Sequence, residues 1–166
     1  MSSVPSEDEM PDRRSARALD MENFVPSAIT NLAQRITTSA SAAYRPRFGV
    51  GITDWRVMAM LAAEPWIAPV KICEATGLDK AAVSRSLRDL GKIGLVEARA
   101  GEPNQRRLPY ALTPAGLKVH DELVTVARAR EAKLLRGFSA EERALLGAFI
   151  ARMRREVEGL ESEQQV

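Results

Sequence analysis

The 166-residue sequence predicts a mainly α-helical protein with one small β-hairpin, and three observations support this. Apolar residues recur at helical spacing from Pro26 to Tyr44 and again after residue 113. In the middle of the chain, the tight turn "TGLD" joins two short helical segments. Two β-like runs, "LVEARA" and "LPYAL", then flank the polar loop "GEPNQRR". Helix, turn, helix and hairpin in this order indicate a winged helix-turn-helix domain, here with a further helical region for dimerisation.

The amphipathic helices outside the winged domain suggest four segments along the chain. We expect a disordered acidic and polar tail at 1–22, an N-terminal dimerisation helix at 23–50, the winged domain at 51–113, and C-terminal dimerisation helices at 114–161. The segment "RPRFGVG" is expected to end the first helix, because Pro46 and two glycines cannot extend it. The apolar stripes of the first and last segments exceed what one small domain can cover. Two copies are therefore expected to pair as a homodimer.

Capping residues set the expected bounds of the central helices. Thr53 is expected to cap the second helix, and Pro69 suits the first position of the third. Gly77 permits a positive φ in the turn, and Asp79 is a good N-cap for the next helix. After the hairpin, Thr113 caps another helix start, and "SAEE" at 139–142 is a capping box that opens the last helix.

Composition excludes several classes of protein. The chain is 45% hydrophobic and 28% charged, as in ordinary soluble domains. Its apolar runs are far shorter than the roughly 20 residues that span a bilayer, and its first residues lack the apolar core of a signal peptide. One cysteine excludes an intramolecular disulfide. We therefore expect a cytoplasmic protein with no membrane partner.

Residues that enzymes depend on are scarce. The chain has one histidine and one cysteine, and it lacks a Ser-His-Asp set, a metal-binding cluster and a Gly-rich phosphate loop. We therefore expect no catalytic activity, no cofactor and no metal site. Cys73 lies on the apolar side of its helix and is expected to be a small buried residue rather than a redox sensor.

The helix after Asp79 has two contrasting faces. One is apolar, and the other presents Ala81, Ser84, Arg85, Arg88 and Lys92. Between residues 80 and 107, seven basic residues stand against three acidic ones, in a chain whose net charge is only +2. A local basic surface in a nearly neutral chain indicates a polyanionic partner, although a solvated face would explain the charge alone equally well.

The motifs resemble those of the MarR (multiple antibiotic resistance regulator) family. "ITDWRVMAMLA", "GLDKAAVSRSLRDLGKIGLVE" and "LTPAGLKV" are similar to its signature segments, and the resemblance covers about residues 25 to 160. It implies a homodimeric winged-helix regulator of transcription that binds double-stranded DNA, commonly a repressor released by a small molecule. Its operator would be pseudo-palindromic, with half-sites about 10 base pairs apart.

The resemblance also implies which residues bind DNA. Ser84, Arg85 and Arg88 would enter the major groove, and Lys80 would contact phosphate. The family often has Asp-x-Arg in its wing, and those positions fall on Asn104 and Arg106. Asn104 can accept a hydrogen bond from Arg106 but cannot form the charge-assisted pair of a carboxylate. The expected DNA-binding residues are Lys80, Ala81, Ser84, Arg85, Arg88, Asn104, Arg106 and Arg107.

Effectors of the family commonly bind between the dimerisation helices and the winged domain. Here Tyr44, Arg45, Trp55 and His120 would line that region and suit an aromatic or phenolic acid. An ordinary core without a pocket explains Tyr44 and Trp55 equally well.

Two alternatives to an effector-released repressor stay open. One is a winged-helix module that binds protein instead of DNA, which predicts a neutral recognition face. The other is an activator without an effector, which the sequence does not distinguish from a repressor.

Overall fold

The computed structural model describes residues 19–21, 23–99 and 108–163, and it confirms a mainly helical fold with a small hairpin. The elements within those residues are α1 (Val25–Phe48), α2 (Ile52–Ala63), α3 (Pro69–Thr76), α4 (Lys80–Lys92), β1 (Val96–Ala98), β2 (Tyr110–Leu112), α5 (Pro114–Leu134) and α6 (Ala140–Glu163). They form two compact units, Met1–Ile52 and Thr53–Val166. The expected disordered tail at 1–22 lies almost wholly outside the described residues.

The first unit consists of α1 and the residues that follow it. The segment "RPRFGVG" ends α1 as predicted, but it does so at the first glycine and not at Pro46, because the helix continues through Pro46 to Phe48. Proline in the last turn removes only one hydrogen bond, and the helix ends instead at Gly49, whose φ of 71° is left-handed. Ala40 and Tyr44 are buried, whereas Ile29, Leu32 and Ile36 are exposed.

The start of α2 also differs from the sequence prediction. Thr53 is not its cap, because the helix already begins at Ile52. The amide of Ile52 donates instead to the hydroxyl of Ser41, at 3.1 Å. A side chain eleven positions earlier therefore satisfies this first amide, which no local pattern indicates.

The core of the second unit is apolar and joins α2, α3, α4, the hairpin and α5. Its buried side chains are Val57, Met58, Leu61, Ile67, Ile72, Val83, Leu87, Leu90, Leu95, Val96, Ala111, Leu112 and Leu123. The predicted turn and cap between α3 and α4 are confirmed. Gly77 has a φ of 66°, and the Asp79 carboxylate accepts from the amide of Ala82 at 2.7 Å.

The hairpin is short and has a neighbour on its second strand. β1 and β2 are antiparallel and pair at three positions, from Val96 with Leu112 to Ala98 with Tyr110. On the other side of β2, the amide of Tyr110 donates to the carbonyl of Ile67 at 3.0 Å. Pro109 precedes the strand, so its missing amide hydrogen falls outside the ladder.

The start of α5 packs against the turn between α4 and β1. The Thr113 hydroxyl accepts from the amide of Gly116 at 3.0 Å, which confirms the predicted cap, and donates to the carbonyl of Gly94 at 2.7 Å. The amide of Thr113 donates to the carbonyl of Leu95. A Cβ on Gly116 would lie 2.0 Å from that Leu95 oxygen, so only glycine fits this approach.

The last helix begins as predicted but buries none of the side chains that the structure describes in it. The capping box is confirmed by reciprocal bonds between Ser139 and Glu142. The apolar stripe of α6 is exposed along its length: Leu145, Phe149, Ile150, Met153, Val157 and Leu160. No helix within the described ranges is long and apolar enough to cross a membrane.

Candidate nucleic-acid interface

Four of the predicted DNA-binding residues lie around one cleft in the second unit. The cleft has a volume of about 560 Å³ and lies between α3, α4 and the segment that enters β2. Lys80, Ala81, Ser84 and Arg88 line it from α4. The other lining residues are Pro69, Cys73, Leu87, Leu108 and Tyr110. The structure therefore brings cationic, hydroxyl and apolar groups together beside the second helix of the helix-turn-helix.

Local sequence explains why α4 presents this face. Asp79 fixes its first turn through the bond to Ala82, and Val83 and Leu90 are buried on the inner side of the helix. Lys80, Ser84 and Arg88 recur every four residues, so they lie above one another along the helix and are exposed. Arg85 is also exposed on α4 but does not line the cleft.

One acidic side chain moderates the charge at the end of this face. The Asp89 carboxylate lies 2.8 Å from Nζ of Lys92 and 3.8 Å from Nε of Arg88. The hydrogen bond from Lys92 lowers the pKa of Asp89, helped by the positive charges of Lys92, Arg88 and Arg85. Asp89 is therefore ionised at neutral pH and offsets part of the positive charge. All of these groups are exposed, so the pairs add little stability.

Three predicted residues, Asn104, Arg106 and Arg107, lie outside the described residues. The structure does show where the hairpin stem ends. Its outermost pair joins Ala98 to Tyr110, and Tyr110 lines the cleft together with Ser84 and Arg88. The stem is therefore next to the exposed face of α4.

A buried polar link that the sequence pattern did not predict lies behind α4. Ser86 is only 3% exposed, and its hydroxyl donates to the Asp54 carboxylate at 2.7 Å. Arg56, also on α2, donates to the carbonyl of Thr76 at the end of α3. The first turns of α2 therefore hold both helices of the helix-turn-helix. The signal in the sequence was the position of Ser86, three residues after Val83 on the apolar face.

Cys73 is less buried than predicted. It is partly exposed and lines the cleft, whereas the neighbouring Ile72 is fully buried. Successive residues on a helix face about 100° apart, so Ile72 occupies the core position of α3 and Cys73 turns toward the cleft. Among the residues that the structure describes, no group of three or more His, Cys, Asp or Glu side chains could hold a metal ion.

The predicted effector residues fall in both units. Tyr44 is buried in the first unit, where the side chain of Arg45 lies against Gly51. In the second unit, the rings of Trp55 and His120 stack with centroids 5.2 Å apart. The Nδ1 atom of His120 lies 3.1 Å from the Asp121 carboxylate. Trp55 and His120 are therefore together, as an aromatic site would require.

The sequence and the fold are both similar to those of known proteins. Residues 48–108, which include α2, α3, α4 and β1, match the model of the MarR family. The chain is 28% identical to a MarR/EmrR family transcriptional regulator from Acinetobacter sp. ADP1, with a TM-score of 0.78. That match covers 85% of this chain and 99% of the Acinetobacter chain. No curated protein matches the sequence significantly.

Two further solved structures share the fold at lower identity. The PcaV transcriptional regulator from Streptomyces coelicolor, solved with its natural ligand, is 24% identical with a TM-score of 0.70. The match covers 83% of this chain and 96% of PcaV. Streptococcus pneumoniae FabT, solved in complex with DNA, is 21% identical with a TM-score of 0.66. Here 82% of this chain and 96% of FabT are covered.

The two serines of α4 give a direct test of the buried link. Ser86→Ala should lower the free energy of unfolding by about 1–3 kcal/mol, because it removes a partner of the Asp54 carboxylate. Ser84→Ala, on the exposed face, is the matched control and should change it by less than about 0.5 kcal/mol. Urea denaturation measures both. Equal effects of the two substitutions would contradict the assigned link.

Proposed function

Because the chain is a member of the MarR family of winged helix-turn-helix transcriptional regulators, we propose that it binds specific double-stranded DNA as a homodimeric repressor released by a small molecule. The observation that supports DNA binding most directly is the face of α4. There Lys80, Ser84 and Arg88 line one cleft beside the hairpin stem. FabT, which shares the fold, has been solved in complex with DNA.

In the proposed complex, α4 lies in the major groove. Arg85 and Arg88 can each bind a guanine through two parallel hydrogen bonds, and Ser84 can bind a base or a phosphate. Lys80, in the first turn, contacts phosphate and positions the helix without reading sequence. Ala81 keeps the first turn small, so the helix can approach the base edges.

The hairpin supplies the second contact of the proposed complex. Arg106, with Arg107 beside it, enters the adjacent minor groove, where a narrow A·T-rich segment attracts a guanidinium. Asn104 accepts a hydrogen bond from Arg106 in place of the family's carboxylate. The amide holds Arg106 less firmly than a carboxylate would, but it also removes a negative charge from the vicinity of phosphate.

Exposed apolar surface supports the proposed homodimer. Ile29, Leu32 and Ile36 on α1 are all more than one third exposed, and the stripe of α6 is exposed from Leu145 to Leu160. Helices of this length derive most of their stability from packing an apolar face. A second copy provides such a surface, and a two-fold axis matches a pseudo-palindrome whose half-sites are about 10 base pairs apart.

The proposed effector is an aromatic or phenolic acid. The stacked rings of Trp55 and His120 form an aromatic surface, and the His120 side chain is 15% exposed. Tyr44 and Arg45 are the candidates for the first unit, where Arg45 offers a cation for a carboxylate. PcaV, which shares the fold, has been solved with its natural ligand.

Selection from a random duplex library, followed by fluorescence anisotropy, tests DNA binding. Wild-type protein should enrich a pseudo-palindrome and bind it less tightly as salt rises. Arg106→Ala should weaken binding and reduce the log–log salt slope by about one unit, because one phosphate-proximal cation is lost. Arg128→Ala, an exposed change on α5, is the control and should leave the slope unchanged. No enriched sequence and no salt-dependent binding would refute the function.

Light scattering tests the dimer. Wild-type protein at micromolar concentration should have about twice the 18.2 kDa mass of one chain. Phe149→Glu should shift the mass toward the monomer, because it places a charge in the exposed apolar stripe. Ala144→Glu places the same charge on the opposite face of α6 and should leave the mass unchanged. A monomeric wild-type protein would contradict the proposed assembly.

Thermal shifts test the effector. Salicylate and a panel of phenolic acids should raise the midpoint of unfolding of the wild-type protein, because a ligand that binds only the folded state stabilises it. His120→Ala should abolish the shift, whereas Lys118→Ala, an exposed change on the same helix, should retain it. No shift with any compound would rule out an effector of this class.

A further inference from the structure

One residue between α2 and α3 has a backbone conformation that its side chain disfavours. Trp66 has a φ of 63°, and it is the one non-glycine residue in the described ranges with a positive φ. Such conformations are uncommon for bulky residues. They persist where the surrounding contacts determine them, and they cluster at functional positions. The contacts of Trp66 therefore indicate which function its backbone conformation supports.

Trp66 and the next residue contact both strands of the hairpin. The guanidinium of Arg99, one residue beyond β1, lies over the Trp66 ring with its Cζ 4.5 Å from the ring centroid. The carbonyl of Ile67 accepts from the amide of Tyr110 on β2 at 3.0 Å. The two strands are thus held at their outer end by two consecutive residues of another segment.

The pairing of the hairpin's own strands is short. An isolated two-stranded hairpin is marginally stable, and this one has three residue pairs. Its inner pair, Val96 with Leu112, is buried, whereas Ala98 and Arg99 are exposed. Beyond the last pair, the amide of Arg99 donates to the carbonyl of Pro109 at 3.1 Å. Pro109 cannot donate in return, so the ladder cannot continue with full pairing.

We propose that Trp66 is a positioning residue for DNA binding: its ring holds Arg99 and thereby fixes the direction in which the hairpin leaves the domain. This inference rests on the proposed function. Tyr110, which Ile67 holds, lines the cleft with Ser84 and Arg88. A displacement of the stem therefore changes the position of the hairpin relative to the exposed face of α4.

A direct role of Arg99 in phosphate binding is the alternative that the experiment must separate. A guanidinium that stacks on a ring uses its face, and its N–H groups lie in its plane and stay available. If Arg99 contacted phosphate independently, its removal would weaken binding whether or not Trp66 was present. If it acts through Trp66, the two losses overlap.

A double-mutant cycle on the duplex enriched from the random library tests the inference. Trp66→Gly removes the ring and adopts the positive φ without strain, and Arg99→Gln removes the guanidinium. Each should weaken binding by roughly three- to fivefold, as expected for an exposed cation–π pair. The double variant should be no weaker than either single variant. Trp66→Phe, which retains an aromatic ring, should lose less affinity than Trp66→Gly.

Two further measurements separate positioning from a general structural effect. In the nitrogen–proton spectrum, the chain's two tryptophans give two indole signals, and Trp66→Gly identifies its own by its loss. Arg99→Gln should shift that signal and not the signal of Trp55. The same variant should lower the thermal midpoint of unfolding by no more than about 4 °C, because the cation–π pair that it removes is exposed.

The outcomes distinguish this inference from the proposed function. Wild-type protein that binds no duplex refutes the function and the inference with it. Wild-type binding with additive losses, or with a reduced salt slope for Arg99→Gln in both backgrounds, refutes the inference alone. An unshifted indole signal, or a midpoint that falls by much more than a few degrees, also refutes it.

Discussion

The close approach of α5 to the turn between α4 and β1 is the constraint on which the winged domain depends. The amide and hydroxyl of Thr113 donate to the carbonyls of Leu95 and Gly94, and Gly116 leaves the space that the Leu95 carbonyl occupies. Gly94 in turn adopts a φ of 72°, which allows the chain to leave α4 and enter the hairpin. Because these bonds meet at one turn, α4, the hairpin and α5 have a single defined arrangement. Thr113 and Gly116, which make this contact, both belong to the segment "LTPAG".

Within that arrangement, α4 has an inner and an outer side with different roles. Val83 and Leu87 provide apolar burial, while the bond from Ser86 to Asp54 fixes the rotation of the helix more specifically than apolar contacts do. With the inner side fixed, Ser84 and Arg88 necessarily point outward. The proposed DNA recognition therefore depends as much on the buried serine as on the exposed arginine.

Local chemistry made much of the fold predictable. Asp79, Thr113 and Ser139 cap helices through side chains that bond within three residues, and the sequence identified all three. The prediction for the start of α2 was wrong for a non-local reason, since Ser41 satisfies the first amide of that helix. At the end of α1 the predicted segment was correct, but the one hydrogen bond lost at Pro46 was too small a cost to end the helix before Gly49.

Some contacts in the candidate site could not be predicted from the sequence, because they join residues that are far apart in the chain. The exposed residues of α4 follow from helical periodicity, and the structure places four of them on one cleft. The contact between Trp66 and Arg99 joins residues 33 positions apart, and the contact between Asp54 and Ser86 joins residues 32 apart. Pairings of this kind depend on how the elements pack, which periodicity does not specify.

The absence of any buried side chain among those described in α6 has a consequence for how such a regulator responds to its own abundance. In the proposed homodimer, α6 gains most of its stability from association, so folding and assembly become one equilibrium. If two chains must form a dimer before the protein binds its operator, the occupied fraction of the operator at low protein concentration rises with the square of that concentration. Small changes in synthesis or turnover are then amplified at the promoter. In the proposed homodimer, the exposed stripe thus converts a graded supply of protein into a steeper transcriptional response.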